Sequence, residues 1–130
     1  MKAAYIDSSL FIAILFGEQT AGALRRIVAR FDRLFSCDLL VAECISAATR
    51  QRIDPRTLLP ALGALSLVFP SRSLDAEMLE VSDAGYVRGA DLWHLACATR
   101  LAGDDRGQLA FLSRDATQRS CARRLGFATP

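Results

Sequence analysis

Short apolar runs alternate with longer stretches of helical period along the whole chain. Ala3–Ile6 is a continuous apolar run stopped by an aspartate and reads as a buried strand. Residues 8–16 and 19–31 follow as helices separated near Gly17, and residues 34–37 form a second short strand. A helix over 38–51 comes next. Pro55 suits the first turn of another helix running to about residue 65, and residues 67–69 are strand-like before Pro70. Residues 75–84 are helical, 85–89 a loop and 91–101 a strong helix. Residues 109–112 form a strand, 116–125 a helix, and 126–128 a last edge strand. This alternation predicts right-handed crossovers and an α/β fold: a three-layer α/β/α sandwich around a central, mainly parallel sheet of four or five strands. Ligands of such sheets bind beyond the carboxyl ends of the strands, so the residues just after each strand come first for function.

Composition narrows the class. The 130 residues are 52% hydrophobic and 23% charged, which excludes a disordered chain and fits one domain, 1–130, with a single sizeable core. The apolar stretch 10–16 is far too short for a bilayer span and follows an acid rather than a basic flank, so it is not a signal peptide. A cytoplasmic location is the expectation. Cys37, Cys44, Cys97 and Cys121 lack C-x-x-C spacing, and His94 is the one histidine. A zinc site is not supported, and buried, reduced thiols are expected. Net charge is +2, but fifteen of the sixteen basic residues are arginine, the better fork for phosphate. A GC-rich coding sequence explains that bias equally well, so clustering has to decide.

The acids carry the candidate chemistry. Asp7 directly follows the first strand, and Ser113-Arg114-Asp115 directly follows the strand 109–112. In a parallel sheet both carboxylates leave the same edge. Asp91 opens the helix DLWHLACATRL after the Gly-containing loop Arg88-Gly89-Ala90. Each of these aspartates, with Ser8, is also a good helix N-cap. Glu43 is different. It sits inside a helix with Leu39, Leu40, Ser46 and Ala47 as its neighbours three and four positions away, a face on which an unpaired carboxylate is costly. Either an arginine such as Arg88 or Arg114 pairs with it, or it joins a carboxylate cluster. Clustered carboxylates repel one another. A bound Mg²⁺ or Mn²⁺ reverses that, because these hard ions take carboxylate oxygens together with substrate phosphate.

A strand ending in IDSS, a glutamate at position 43, an aspartate in ADLWHLACA and another in FLSRDATQRSCARRLGF occur in the order of a PIN domain. The chain resembles that family over essentially its whole length, and more narrowly the short VapC-type toxins of bacterial toxin–antitoxin pairs. The resemblance implies that Asp7, Glu43, Asp91 and Asp115 are the metal-binding and catalytic carboxylates of a magnesium-dependent (or manganese-dependent) endoribonuclease. Ser8 or Ser9 then stands where the family places a small polar residue beside the first aspartate, and Ser113 where a hydroxyl precedes the last acid by two positions. Arg114 contacts substrate phosphate or pairs with a neighbouring acid. His94 and Trp93 read as packing residues of their helix, with an acid–base or stacking role as the alternative.

The resemblance further implies RNA as substrate, a homodimer formed through apolar helices such as 10–16 or 58–65, and a small antitoxin protein covering the groove. Transfer, ribosomal and messenger RNA all fit, and unpaired loops are the natural target because their bases can be splayed out. Arg25, Arg26, Arg30 and Arg33, then Arg50, Arg52 and Arg56, then Arg119, Arg123 and Arg124, form three candidate phosphate-contact groups. Two other classes compete. A catalytically silent PIN-like binding module is opposed by intact acids at all four positions. A phosphotransfer enzyme using Asp7 as nucleophile predicts an acid at position 9 or a lysine late in the sheet, whereas Ser9 stands there and no lysine follows Lys2.

Overall fold

The computed structural model describes residues 2–130. Four parallel strands, β1 (Ala3–Ile6), β2 (Arg33–Cys37), β3 (Ser66–Val68) and β4 (Leu109–Leu112), lie in the order β3-β2-β1-β4. Helices α1 (Ser8–Leu15) and α2 (Ala21–Val28) connect β1 to β2, and α3 (Asp38–Arg50) with the single turn α4 (Leu59–Leu62) connects β2 to β3. The chain then crosses through α5 (Asp75–Ala84) and α6 (Gly89–Ala102) to β4 on the far side of β1, and closes with α7 (Ala116–Arg124). The strand order therefore reverses at β1. The crevice beyond the carboxyl ends of β1 and β4 is the topological switch point, where such sheets bind ligands.

Alternation along the central strands builds a core on each face. Ala4, Ile6, Ala110 and Leu112 pack with Leu10, Leu40, Cys44 and Ala48 of α1 and α3. Tyr5 and Phe111, whose rings stack 5.6 Å apart, pack on the other face with Leu74, Val81, Leu95 and Cys121 around α5, α6 and α7. The α/β/α sandwich is thus present, and all four cysteines are free and buried within it.

Several boundaries differ from the sequence reading for local reasons. The helix expected over 55–65 is a 3₁₀ turn, Pro55–Leu58, capped by Asp54, followed by the separate turn α4. Pro60 has no N–H to continue an earlier helix. The helix expected over 19–31 is only Ala21–Val28. Gly17, at φ 63°, takes the left-handed conformation that ends α1, with the Glu18 N–H closing onto Ala13. The last edge strand is reduced to a single bridge between Ala110 and Ala128.

Candidate active site

Asp7 extends the β1–β4 pairing by one hydrogen bond, its N–H donating to Leu112 at 3.0 Å, and then becomes the N-cap of α1. Its carboxylate is almost fully enclosed, at 2% exposure. It accepts from the Leu10 N–H (3.2 Å), from Ser9 Oγ (3.0 Å to both oxygens) and from Ser113 Oγ (2.8 Å). Burial nevertheless raises its pKa above the usual carboxylate value, outweighing the hydrogen bonds that favour the anion. Asp7, not Ser8, is the cap. Ser8 instead donates to Glu43 Oε1 at 2.7 Å.

Ser113 sits on β4's exit and has a single hydrogen, yet two oxygens stand 2.8 Å from it: Asp7 Oδ2 and Gln118 Oε1. Gln118 is fully buried, and its side-chain nitrogen reaches the Asp91 carbonyl at 3.4 Å. Asp115 caps α7, its Oδ1 accepting from the Gln118 N–H at 2.8 Å. Gln118 thus joins the elements carrying Asp7, Asp91 and Asp115. Nothing in the sequence marked it beyond its place three residues after a capping aspartate.

Asp91 is the third residue of α6, since that helix starts two residues earlier than its sequence pattern indicates, at Gly89. Its pKa is raised, first by burial, then by the negative charges of Asp115 and Glu43, against the opposing pull of Arg88 3.6 Å away. Glu43 is less buried than its helical neighbours imply: its side chain keeps 36% of its exposure, at the mouth of the crevice. Its partner is neither Arg88 nor Arg114 but His94 Nε2, at 3.1 Å. The imidazole is buried, with Nδ1 2.9 Å from Tyr5 Oη and 3.6 Å from Cys37 Sγ. Burial of the ring opposes its charge, but the Cys37 sulfur and the Glu43 carboxylate prevail and raise His94 to about 9. The bond to His94 in turn lowers Glu43.

Asp91 and Asp115 therefore line one cleft with Arg88. Glu43 lines a separate groove with Arg50 yet lies near enough to Asp91 for their charges to interact, and Asp7 is buried at the β1–α1 junction. The PIN domain model matches residues 4–124. The chain belongs to the PIN domain family. No curated protein matches it significantly. PIN domains are generally metal-dependent nucleases, and this one has their fold.

As placed, no three His, Cys, Asp or Glu side chains among the described residues converge closely enough to grip an ion. The donor set of this PIN domain fits a hard divalent cation all the same. Glu43 Oε1 is pinned by Ser8 and His94, Asp115 Oδ1 by the α7 backbone, and Asp91 Oδ2 faces Arg88. The second oxygen of each carboxylate accepts no hydrogen bond among the described residues, and the mutual repulsion felt by Asp91 is what a cation relieves.

The arginines divide differently from their sequence groups. Arg119 and Arg123 bind Thr129, Arg124 binds the Ala84 carbonyl, and Arg56 pairs with Asp54, all within the fold. Arg114 pairs with Glu18. Those bordering the acids are Arg88, beside Asp91 and Asp115, and Arg50, which shares a groove with Glu43 and Ile12. No helix among the described residues is long and apolar enough to cross a membrane.

Proposed function

We propose that this PIN domain is a magnesium-dependent endoribonuclease that acts as the toxin of a toxin–antitoxin module, with Asp7, Glu43, Asp91 and Asp115 as its metal-binding, catalytic carboxylates. The observation that carries the reading is the division of labour within the carboxylates: three of the four spend one oxygen on the scaffold and keep the other free at the switch point. A purely structural cap or ion pair has no need of three such acids close together.

When bound, a Mg²⁺ or Mn²⁺ ion supplies Lewis-acid polarisation of a phosphodiester and offsets negative charge. The chain's own residues do the rest. Ser9, Ser113 and the Leu10 N–H fix the orientation of Asp7. Ser8 and His94 hold Glu43 as an anion facing the crevice. Arg88 lends a positive charge next to Asp91, where substrate phosphate has to approach. A homodimer and an antitoxin partner belong to this reading through the apolar helices and the groove beside Glu43. So does a cytoplasmic location, where cellular RNA is met.

Purified wild type incubated with cellular RNA and Mg²⁺ is expected to generate discrete new ends. Asp7→Asn and Asp91→Asn should each reduce the rate at least a hundredfold, since charge stabilisation at a reacting phosphate is commonly worth that much or more. Undiminished cleavage by both variants refutes the assignment. A wild type that binds RNA without cutting it identifies a silent module.

A further inference from the structure

Between α5 and α6 the chain runs through Gly85-Tyr86-Val87-Arg88, a segment in which the core accounts for Val87 and Asp91 for Arg88, but nothing accounts for Tyr86. Val87 is buried in the α5–α6–α7 core, while Tyr86 on one side of it is 83% exposed and the Arg88 side chain on the other is 79% exposed. Arg88, at φ −66° and ψ 160°, is extended, and Tyr86 and Arg88 reach solvent on either side of the buried Val87. The segment is fixed at both ends. Arg124 Nη1 binds the Ala84 carbonyl at 3.1 Å and packs on Gly85, and α6 starts at Gly89. Tyr86, Val87, Arg88, Asp91, Asp115 and Thr117 line one cleft of about 260 Å³.

The Tyr86 ring stands in solvent beside this cleft, and its hydroxyl makes no hydrogen bond within the described residues. Beside it stand a guanidinium held only by a 3.6 Å ion pair and two of the four acids. Ring, cation and acids match the three parts of an unpaired nucleotide: a base to stack, a phosphate to neutralise, and a neighbouring phosphodiester at the carboxylates.

We propose that Tyr86 and Arg88 form a nucleotide subsite next to the acids, in which the base adjoining the cleaved phosphodiester stacks on the Tyr86 ring and its phosphate meets Arg88. The subsite rests on the nuclease reading and deepens it by naming the residues that hold the unpaired nucleotide beside the cut. A base held in a duplex is already stacked on its neighbours and has no free face to offer. The platform costs little to order because Val87 and Arg124 already hold the backbone.

The test uses the full chain in the uncleaving Asp7→Asn background with Mg²⁺, and fluorescence anisotropy with random-sequence single-stranded RNA, duplex RNA and an abasic strand as probes. Added Tyr86→Ala is expected to weaken single-strand binding roughly five- to hundredfold, the range of one lost base–aromatic stack. Tyr86→Phe should restore it, and neither change should alter binding of the abasic strand or the duplex. Equal single-strand affinity for Tyr86→Ala and its parent overturns the subsite, as does an equal loss on abasic RNA. These outcomes are separate from the nuclease reading: wild type that cleaves RNA regardless of Tyr86 sinks only the subsite. Wild type that never cleaves, while Tyr86→Ala still loses single-strand binding, leaves the subsite standing and sinks only the nuclease.

Discussion

The carboxylate of Asp7 is held by two hydroxyls and one backbone N–H, and burial still prevails over them. A raised folded-state pKa means that the folded protein binds the proton more tightly than the unfolded chain does. Stability from this group is therefore complete below the unfolded value, 3.8, and is lost as pH rises through the folded one. Around neutral pH the ionised Asp7 is a net cost to the metal-free protein. An asparagine in its place removes that cost and also balances the hydrogens. Its NH₂ can donate to Ser113 Oγ, freeing the Ser113 proton for Gln118 Oε1, while its carbonyl still caps the Leu10 N–H. Asp7→Asn should raise the metal-free melting temperature at pH 7 by roughly 2–5 °C and flatten its decline with pH above 4, as read by thermal denaturation in EDTA. A variant that melts lower at every pH would mean that Asp7 is chiefly a cap. The sequence showed Asp7 and the cost of burying Glu43, but it could not show His94 as the partner of Glu43. The two lie 51 positions apart and meet only once α3 and α6 pack on β1 and β2.

Among the elements, β1, the first strand, and α3, α5 and α6 were legible from their periodicity, because tertiary packing there agrees with the local pattern. The misread helix over 55–65 falls where one residue overrules its neighbours, with Pro60 splitting it, whereas the break at Gly17 was legible. The early start of α6 at Gly89 moves Asp91 from the cap position into the first turn, where its charge still complements the positive helix end. Asp115 is a true cap, so its capping role and its proposed metal role can be separated. Asp115→Ala removes the bond to the Gln118 N–H and should destabilise the protein by about 1 kcal/mol in denaturant titration. Asp115→Asn keeps a capping oxygen and should leave stability within about 0.5 kcal/mol of wild type. If Asp115 holds the metal, both variants lose RNA cleavage. If it is only a cap, Asp115→Asn cleaves as wild type does.

Over the whole molecule, the parallel order β3-β2-β1-β4 gathers four acids that are distant in sequence toward one sheet edge, and two of them, Asp7 and Asp91, are positioned at some electrostatic expense. The fold class followed from alternating periodicities, whereas the division of the arginines did not. Those near the chain end face Thr129 and Ala84, pairings set by how α7 packs rather than by any local signal. The repulsion stored at the acid edge makes stability and ion binding reciprocal. An ion that binds the folded chain and not the unfolded one stabilises by about 2.7 kcal/mol at a hundredfold excess over its dissociation constant. For a chain of this length that corresponds to a rise of roughly 5–15 °C in melting temperature. Mg²⁺ and Mn²⁺ should produce such a rise at matched ionic strength. Asp91→Asn should abolish most of it, because Asp91 is the acid whose proton affinity the charges of Asp115 and Glu43 raise. A rise of equal size with monovalent salt at the same ionic strength would reflect general screening of surface charge. An undiminished rise with Mg²⁺ in Asp91→Asn would place the ion elsewhere on the protein.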